Sequence, residues 1–287
     1  AVYLPEYSRP AKVCLYIKDL HSGEISCGER LSLVPGEWRE LSFAVPGGRD
    51  ELIGEAGFCF YMEGRALERF EFAAMADDFR SAGEADYLLD LKKEQTEVWP
   101  GGHTEISQFT RLKGNAWLED GALHLSCSDF GEMYTGGQNW QDYEAEWLLT
   151  PVKGDFCGAG IRVQGAARSY GAVLLSGNRL ALVKSRPRGE GYDILAETEF
   201  SWKEGERIRL TVRAEGNRLQ AAAAPAGTSA AAGEPDASQP AAYRTAEVTA
   251  ADGEDSFRTG CIGILVRNGS HVKAEAVRVR PLCCPRK

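Results

Sequence analysis

The sequence predicts an all-β protein built as two β-sandwich domains. Three observations carry this: apolar and polar residues alternate with a period of two along most of the chain, no window of about 11 to 18 residues holds a helical stripe, and the alternating runs end in turn chemistry such as Ser22-Gly23, Pro35-Gly36, Pro46-Gly47-Gly48 and Glu63-Gly64. At 287 residues the chain has room for two domains of ordinary size. In the first, strands are expected over 12–17, 30–34, 38–45, 57–63 and 69–75. A charged connection from Asp77 to Gly102, closing on Trp99-Pro100-Gly101-Gly102, separates the two and is expected to hold one short helix from Tyr87 to Lys93. The domains are therefore drawn at 1–92 and 93–287. In the second, strands are expected over 116–119, 122–127, 142–150, 157–164, 169–175, 179–184, 194–200, 207–214, 218–223, 260–266 and 274–279. Short strands at such spacing fit two antiparallel sheets packed face to face.

Between Ala222 and Ala242 the composition shifts to Ala, Gly, Ser and Pro, which cannot bury enough apolar surface to offset the entropy of ordering. A flexible hairpin loop is expected there, with an ordered lid as the other reading. The acidic balance, 42 Asp and Glu against 33 Lys and Arg, and the lack of any sustained basic run disfavour nucleic acid and anionic membrane as partners. No apolar stretch approaches the roughly 20 residues that span a bilayer. The chain opens on Ala1 without the basic start and apolar core of a secretory signal, so an excised or processed piece is expected whose start says nothing of targeting; the cysteine spacings give no disulfide framework, so a reducing, cytoplasmic setting is expected.

Eight cysteines, at 14, 27, 59, 127, 157, 261, 283 and 284, form no CxxC pair and have no His at metal-ligand spacing. Most lie in strand patterns and read as small buried hydrophobes; Cys283 and Cys284 are the expected exposed thiols. None of His21, His103, His124 and His271 has a Ser, Cys or Asp partner at triad spacing. Gly154 to Gly160 does not open a helix, so no phosphate cradle is read. Trp38, Trp117 and Trp202 are expected in cores.

Gln138-Asn139-Trp140-Gln141-Asp142-Tyr143, Gly158 to Gln164, Arg168 to Leu175, Arg179 to Lys184 and Leu195 to Trp202 follow one another in an order that resembles the concanavalin A-like, laminin G-like sandwich at the C-terminal end of bacterial ADP-ribosylglycohydrolase family proteins. Pro35-Gly36-Glu37-Trp38-Arg39-Glu40-Leu41 is similar to a strand and turn of galactose-binding-like jelly rolls, which precede that sandwich in the same proteins. The resemblance implies a galactose-binding-like jelly roll over 1–92, lacking its first strands, and a concanavalin A-like sandwich over 93–287. It further implies that hydrolysis belongs to a helical catalytic domain of the same parent chain, where clustered acidic residues hold magnesium. No stretch here matches that domain. No catalytic residue, metal ligand or cofactor is therefore assigned to this chain, and the function expected is a binding or interaction region, with carbohydrate as the expected ligand class.

Two sets of residues carry candidate chemistry. Asp142, Glu144 and Glu146 alternate along one strand and so share a face; they read as a solvated strand face or, alternatively, as the carboxylates of a glycoside hydrolase. Arg162, Gln164, Tyr170 and Lys184 alternate with apolar residues and are expected on an exposed sheet face, flooring a sugar groove or merely facing solvent. Trp140 reads as a loop anchor or the edge of that groove. A purely structural role, docking on a catalytic domain or dimerising it, is the remaining alternative.

Overall fold

The computed structural model describes residues 1–20, 22–45, 53–62, 72–80, 83, 85–99, 101–187, 191–227, 245–253 and 255–282. Among these there is no α-helix, and no helix long and apolar enough to cross a membrane. The chain divides into two compact units, Ala1–Ser81 and Ala82–Lys287.

The first unit contains β1 (Val2–Tyr3), β2 (Ala11–Asp19), β3 (Ile25–Cys27), β4 (Leu31–Leu33), β5 (Trp38–Arg39), β6 (Ile53–Met62) and β7 (Met75–Ala76). Strands β5, β1 and β7 make one sheet in that order; β6 lies along one edge of β2, and β3 and β4 share the other. Val2, Leu4, Ala11, Val13 and Leu33 form its core, joined by Phe58, Phe60 and Phe72. The Pro35-Gly36 turn is present, with Gly36 at φ 87°, a conformation that costs glycine nothing. The strand expected over 38–45 shrinks to Trp38–Arg39, because the pairing with β1 covers only Tyr3 and Val2. Trp38 is half exposed rather than in the core. Of the strand expected over 69–75, residues 69–71 lie outside the described residues and only Met75, in β7, is in a strand.

The second unit contains β8 (Tyr87–Asp90), β9 (Thr96–Trp99), β10 (His103–Ile106), β11 (Thr110–Lys113), β12 (Asn115–Glu119), β13 (Ala122–Ser126), β14 (Phe130–Thr135), β15 (Tyr143–Lys153), β16 (Phe156–Gly165), β17 (Arg168–Leu175), β18 (Arg179–Ser185), β19 (Tyr192–Glu199), β20 (Ile208–Glu215), β21 (Arg218–Pro225), β22 (Ala246–Ala251), β23 (Cys261–Arg267) and β24 (His271–Pro281). One sheet runs β11-β14-β23-β16-β17-β18-β19, the other β12-β13-β24-β15-β20-β21-β22, all antiparallel. Alternate residues of facing strands fill the space between: Tyr143, Ala145, Trp147 and Leu149 of β15, for example, against Cys157, Ala159 and Ile161 of β16.

Three expectations are corrected here. Residues 87–90 are a strand, not a helix, because Leu89 and its neighbours pair with β24; only Leu91–Lys93 turns, as a 3-10 turn capped by the Asp90 carboxylate accepting from Lys92 N. That pairing also moves the boundary from 92 to 81, since β8 completes a sheet of the second unit. Residues Ala222 to Pro225 continue β21, where Ala221 and Ala223 are buried between paired strands on both sides; the rest of the expected loop, 228–242, lies outside the described residues, as do Cys283 and Cys284.

Candidate functional site

Strand β16 carries a bulge at Arg162, which sits at φ 51° where the registers with β17 and β23 both shift. The bulge sends the guanidinium into the loops at one end of the sandwich. It donates to the carbonyls of Gln141 (3.1 Å), Gly216 (2.5 Å) and Phe257 (2.9 Å) and pairs with Asp142 at 2.8 Å. Burial draws its pKa downward, opposed by Asp142. Tyr170 stands on the inward row of β17; its hydroxyl donates to Asp252 (2.5 Å) and accepts from Phe257 N (2.9 Å), and burial first, then Asp252, push its pKa up. Lys184 bonds the same Asp252 carboxylate (2.6 Å) and the Asp255 carbonyl (3.1 Å). Gln164 donates to the Thr259 carbonyl. Trp140 packs edge-on against Tyr143, its carbonyl accepting from Gly260 N.

All five expected binding residues thus hold loops, and Arg162, Tyr170 and Lys184 meet around the 252–257 segment. The expected exposed face is corrected for Arg162 and Tyr170, each only 1% exposed. The bulge takes Arg162 off its expected face, while Tyr170 is covered because β17 buries both of its rows.

The acidic triplet does not form one row. Asp142 precedes β15 and turns to Arg162 and to Gly216 N (2.8 Å). Glu144 and Glu146 lie on the outer face of the eight-stranded sheet, 3.9 Å from Arg280 and 3.6 Å from Arg209. These are contacts of a solvated, charge-alternating surface.

That outer face carries an aromatic cluster further along. Register sets Trp117 opposite His124 and His271 opposite Ser126, so the three rings share a face. Trp117 and His124 stack at 5.0 Å and 18°, and His124 Nδ1 lies 3.0 Å from His271 Nε2. Trp117 is therefore not a core residue; its Nε1 donates to Glu119. Burial lowers the pKa of both histidines, and the proximity of His124 lowers that of His271 further.

His124 also forms part of the wall of an open cavity of about 460 Å³. Three cations, Lys92, Arg207 and Lys273, and three carboxylates, Glu119, Asp120 and Glu275, line it. Arg207 and Glu275 face each other in a two-bond pair at 2.9 and 2.7 Å. The sequence held no signal for this site, because its members come from four separate segments, around 92, 119–124, 207 and 273–275, that only the tertiary structure brings together. Among the described residues no group of three or more His, Cys, Asp or Glu is placed to hold a metal ion.

No family model matches the chain, and no curated protein matches it. Among solved structures it is similar to a carbohydrate-binding module, CBM66, from Bacillus subtilis, at 15% identity and a TM-score of 0.47, over 60% of this chain and 95% of that one. The exoplasmic/lumenal domain of VIP36, in a Ca²⁺/Man3GlcNAc-bound form, matches at 11% and 0.43, over 63% and 86%. A Bacillus subtilis protein of unknown function with a galectin-like fold matches at 10% and 0.42, over 70% and 97%. The class of this protein is set by its own strands, an all-β chain whose larger unit is an antiparallel two-sheet sandwich.

Proposed function

We propose that this chain is a non-catalytic carbohydrate-binding region and that the cavity beside the Trp117–His124 stack is its sugar site. The observation that supports this is the lining: three cations and three carboxylates around one imidazole whose pKa burial lowers. A phosphate would meet the carboxylates and a metal dication the ammonium groups, each at a desolvation cost. A neutral polyol, whose hydroxyls both donate and accept, satisfies both kinds of group at once, and an adjoining ring offers an apolar face for stacking. The setting in a larger ADP-ribosylglycohydrolase-like protein, with a helical, magnesium-dependent catalytic domain as partner, rests on the sequence resemblance alone. On this reading the chain itself releases no ADP-ribose and hydrolyses no glycan.

The test is a glycan array followed by calorimetric titration of the best hit. Lys273→Ala and Asp120→Ala are expected to weaken binding at least tenfold, the loss of about one charge-assisted hydrogen bond, while Gln164→Ala at the opposite network leaves it unchanged. Binding that ignores both cavity substitutions overturns the site; no binding to any glycan leaves the docking or dimerising role. Product appearing in the same samples, lost in Glu144→Gln or Glu146→Gln, would instead establish the hydrolase reading.

A further inference from the structure

Cys14 and Cys59 stand directly opposite each other where β2 pairs antiparallel with β6 in the first unit. Their side chains therefore leave the sheet on the same face. Odd-numbered residues of β2 turn their peptide groups toward β3, since Leu15 O accepts from Gly28 N at 2.8 Å and Asp19 N donates to Glu24 O at 2.9 Å. Cys14 turns its own toward β6, which makes Cys14 and Cys59 a hydrogen-bonded pair, with Cα atoms about 5.5 Å apart. That spacing falls inside the roughly 4.4–6.8 Å that a disulfide spans. Both are free thiols, Cys14 buried and Cys59 half-buried. The Tyr61 hydroxyl lies 3.7 Å from Cys14 Sγ, and Arg30 covers the Tyr61 ring at 4.0 Å. The exposed Cys27 shares the face but stands opposite Tyr16, diagonal to Cys14 and with β2 between it and Cys59.

We propose that Cys14 and Cys59 are a peroxide-sensitive pair that closes into a reversible disulfide, stapling β2 to β6. Cys59 reacts first, because it is the partner open to solvent and hydrogen peroxide is small enough to reach a half-buried sulfur. Its thiolate attacks one peroxide oxygen, the O–O bond breaks, hydroxide leaves and Cys59 becomes a sulfenic acid. Cys14, as thiolate, then attacks the Cys59 sulfur; the S–O bond breaks and a second hydroxide leaves. The two thiol protons and the two hydroxides make two waters, and the two sulfurs together give up the two electrons that the peroxide takes. The register also sets how firmly the bond holds. Opposite Cβ atoms of a hydrogen-bonded pair sit at the wide end of about 4.5–5.5 Å, whereas a disulfide draws them to about 3.8 Å. The strands must close by roughly 1–2 Å to make the bond, and the strain so stored makes it easy to reduce.

The experiment treats the full chain with hydrogen peroxide, alkylates with N-ethylmaleimide in denaturant and maps unreduced peptides by mass spectrometry. A Cys14–Cys59 cross-linked peptide is expected, reversed by reduced glutathione. Cys27→Ser, at an exposed position, should form the same link at the parent rate. Cys59→Ser should lose it and leave Cys14 a free thiol. Cys14→Ala should leave Cys59 as a sulfenic acid that dimedone traps; if that buried substitution alters the circular dichroism, Cys27→Ser and Cys59→Ser decide by themselves. A link through Cys27 in the parent, Cys59 oxidised to the sulfinic acid while Cys14 stays free, or no link at all overturns the proposal.

Discussion

Two side chains in the second unit act on stability rather than on ligand. Arg162 satisfies three loop carbonyls and one carboxylate while almost wholly buried. Arg162→Ala leaves Asp142 and those carbonyls short of donors, so a loss of about 3–5 kcal/mol is expected in urea unfolding; a change below about 0.5 kcal/mol, typical of exposed positions, would show that the network carries no weight. Glu132 is fully buried on β14, accepting from Ala167 N and the Ser169 hydroxyl at 3.1 Å each. Burial raises its pKa from 4.5 to about 7, against the opposing pull of those two bonds and Arg267. The folded state therefore holds a proton that the unfolded state gives up between these values. The stability tied to that proton is complete below pH 4.5 and is lost as pH rises through about 7. Glu132→Gln should remove about one proton's worth of slope from that window, measured as unfolding free energy at pH 5 and pH 8. An unchanged slope would mean that Glu132 titrates normally.

Among the elements, β16 and β23 are matched at one point. The bulge that aims Arg162 inward leaves its carbonyl carbon 2.4 Å from where a Cβ on Gly260 would stand, and Gly260 itself is at φ 142°. Only glycine accommodates both the conformation and the approach. Gly260→Ala should cost more than about 2 kcal/mol and loosen the loop that Tyr170 and Lys184 hold, read as faster amide exchange over 252–260. Protection equal to the parent would show that the bulge can shift. The bulge is also where the sequence reading of Arg162 failed. Alternation placed Arg162, Gln164, Tyr170 and Lys184 on one open face, yet Tyr170 and Lys184 are directly paired on the inward row and Arg162 leaves the ladder. The strands themselves were readable, because β15 buries one row and so alternates, while β16 to β18 bury both rows and stand out as short apolar runs bounded by turns. Strands β9, β10, β11, β14 and β22, of four to six residues, were not read from the sequence.

At the scale of the molecule, the two units have separate cores. One is drawn from residues between Val2 and Ala74, the other from residues between Ala85 and Val279. Residues 82–287 expressed alone should give a β-type circular dichroism spectrum and one cooperative unfolding transition, with the glycan affinity of the full chain; a molten spectrum would show that the second core needs the first unit. The sequence by itself determined the all-β class and the two-part organisation, since period-two alternation and turn residues are local properties that burial of one strand face imposes on any such chain. It also disfavoured nucleic acid through its acidic charge. Which residues meet was decided only by the tertiary structure. Strand order brings Lys92, His124, Arg207 and Lys273 to one cavity and Cys14, Cys27 and Cys59 to one sheet face, and a single bulge turns Arg162 from the surface into the fold. Long-range pairing and register are set by the packing of whole sheets, and no local spacing along the chain encodes them.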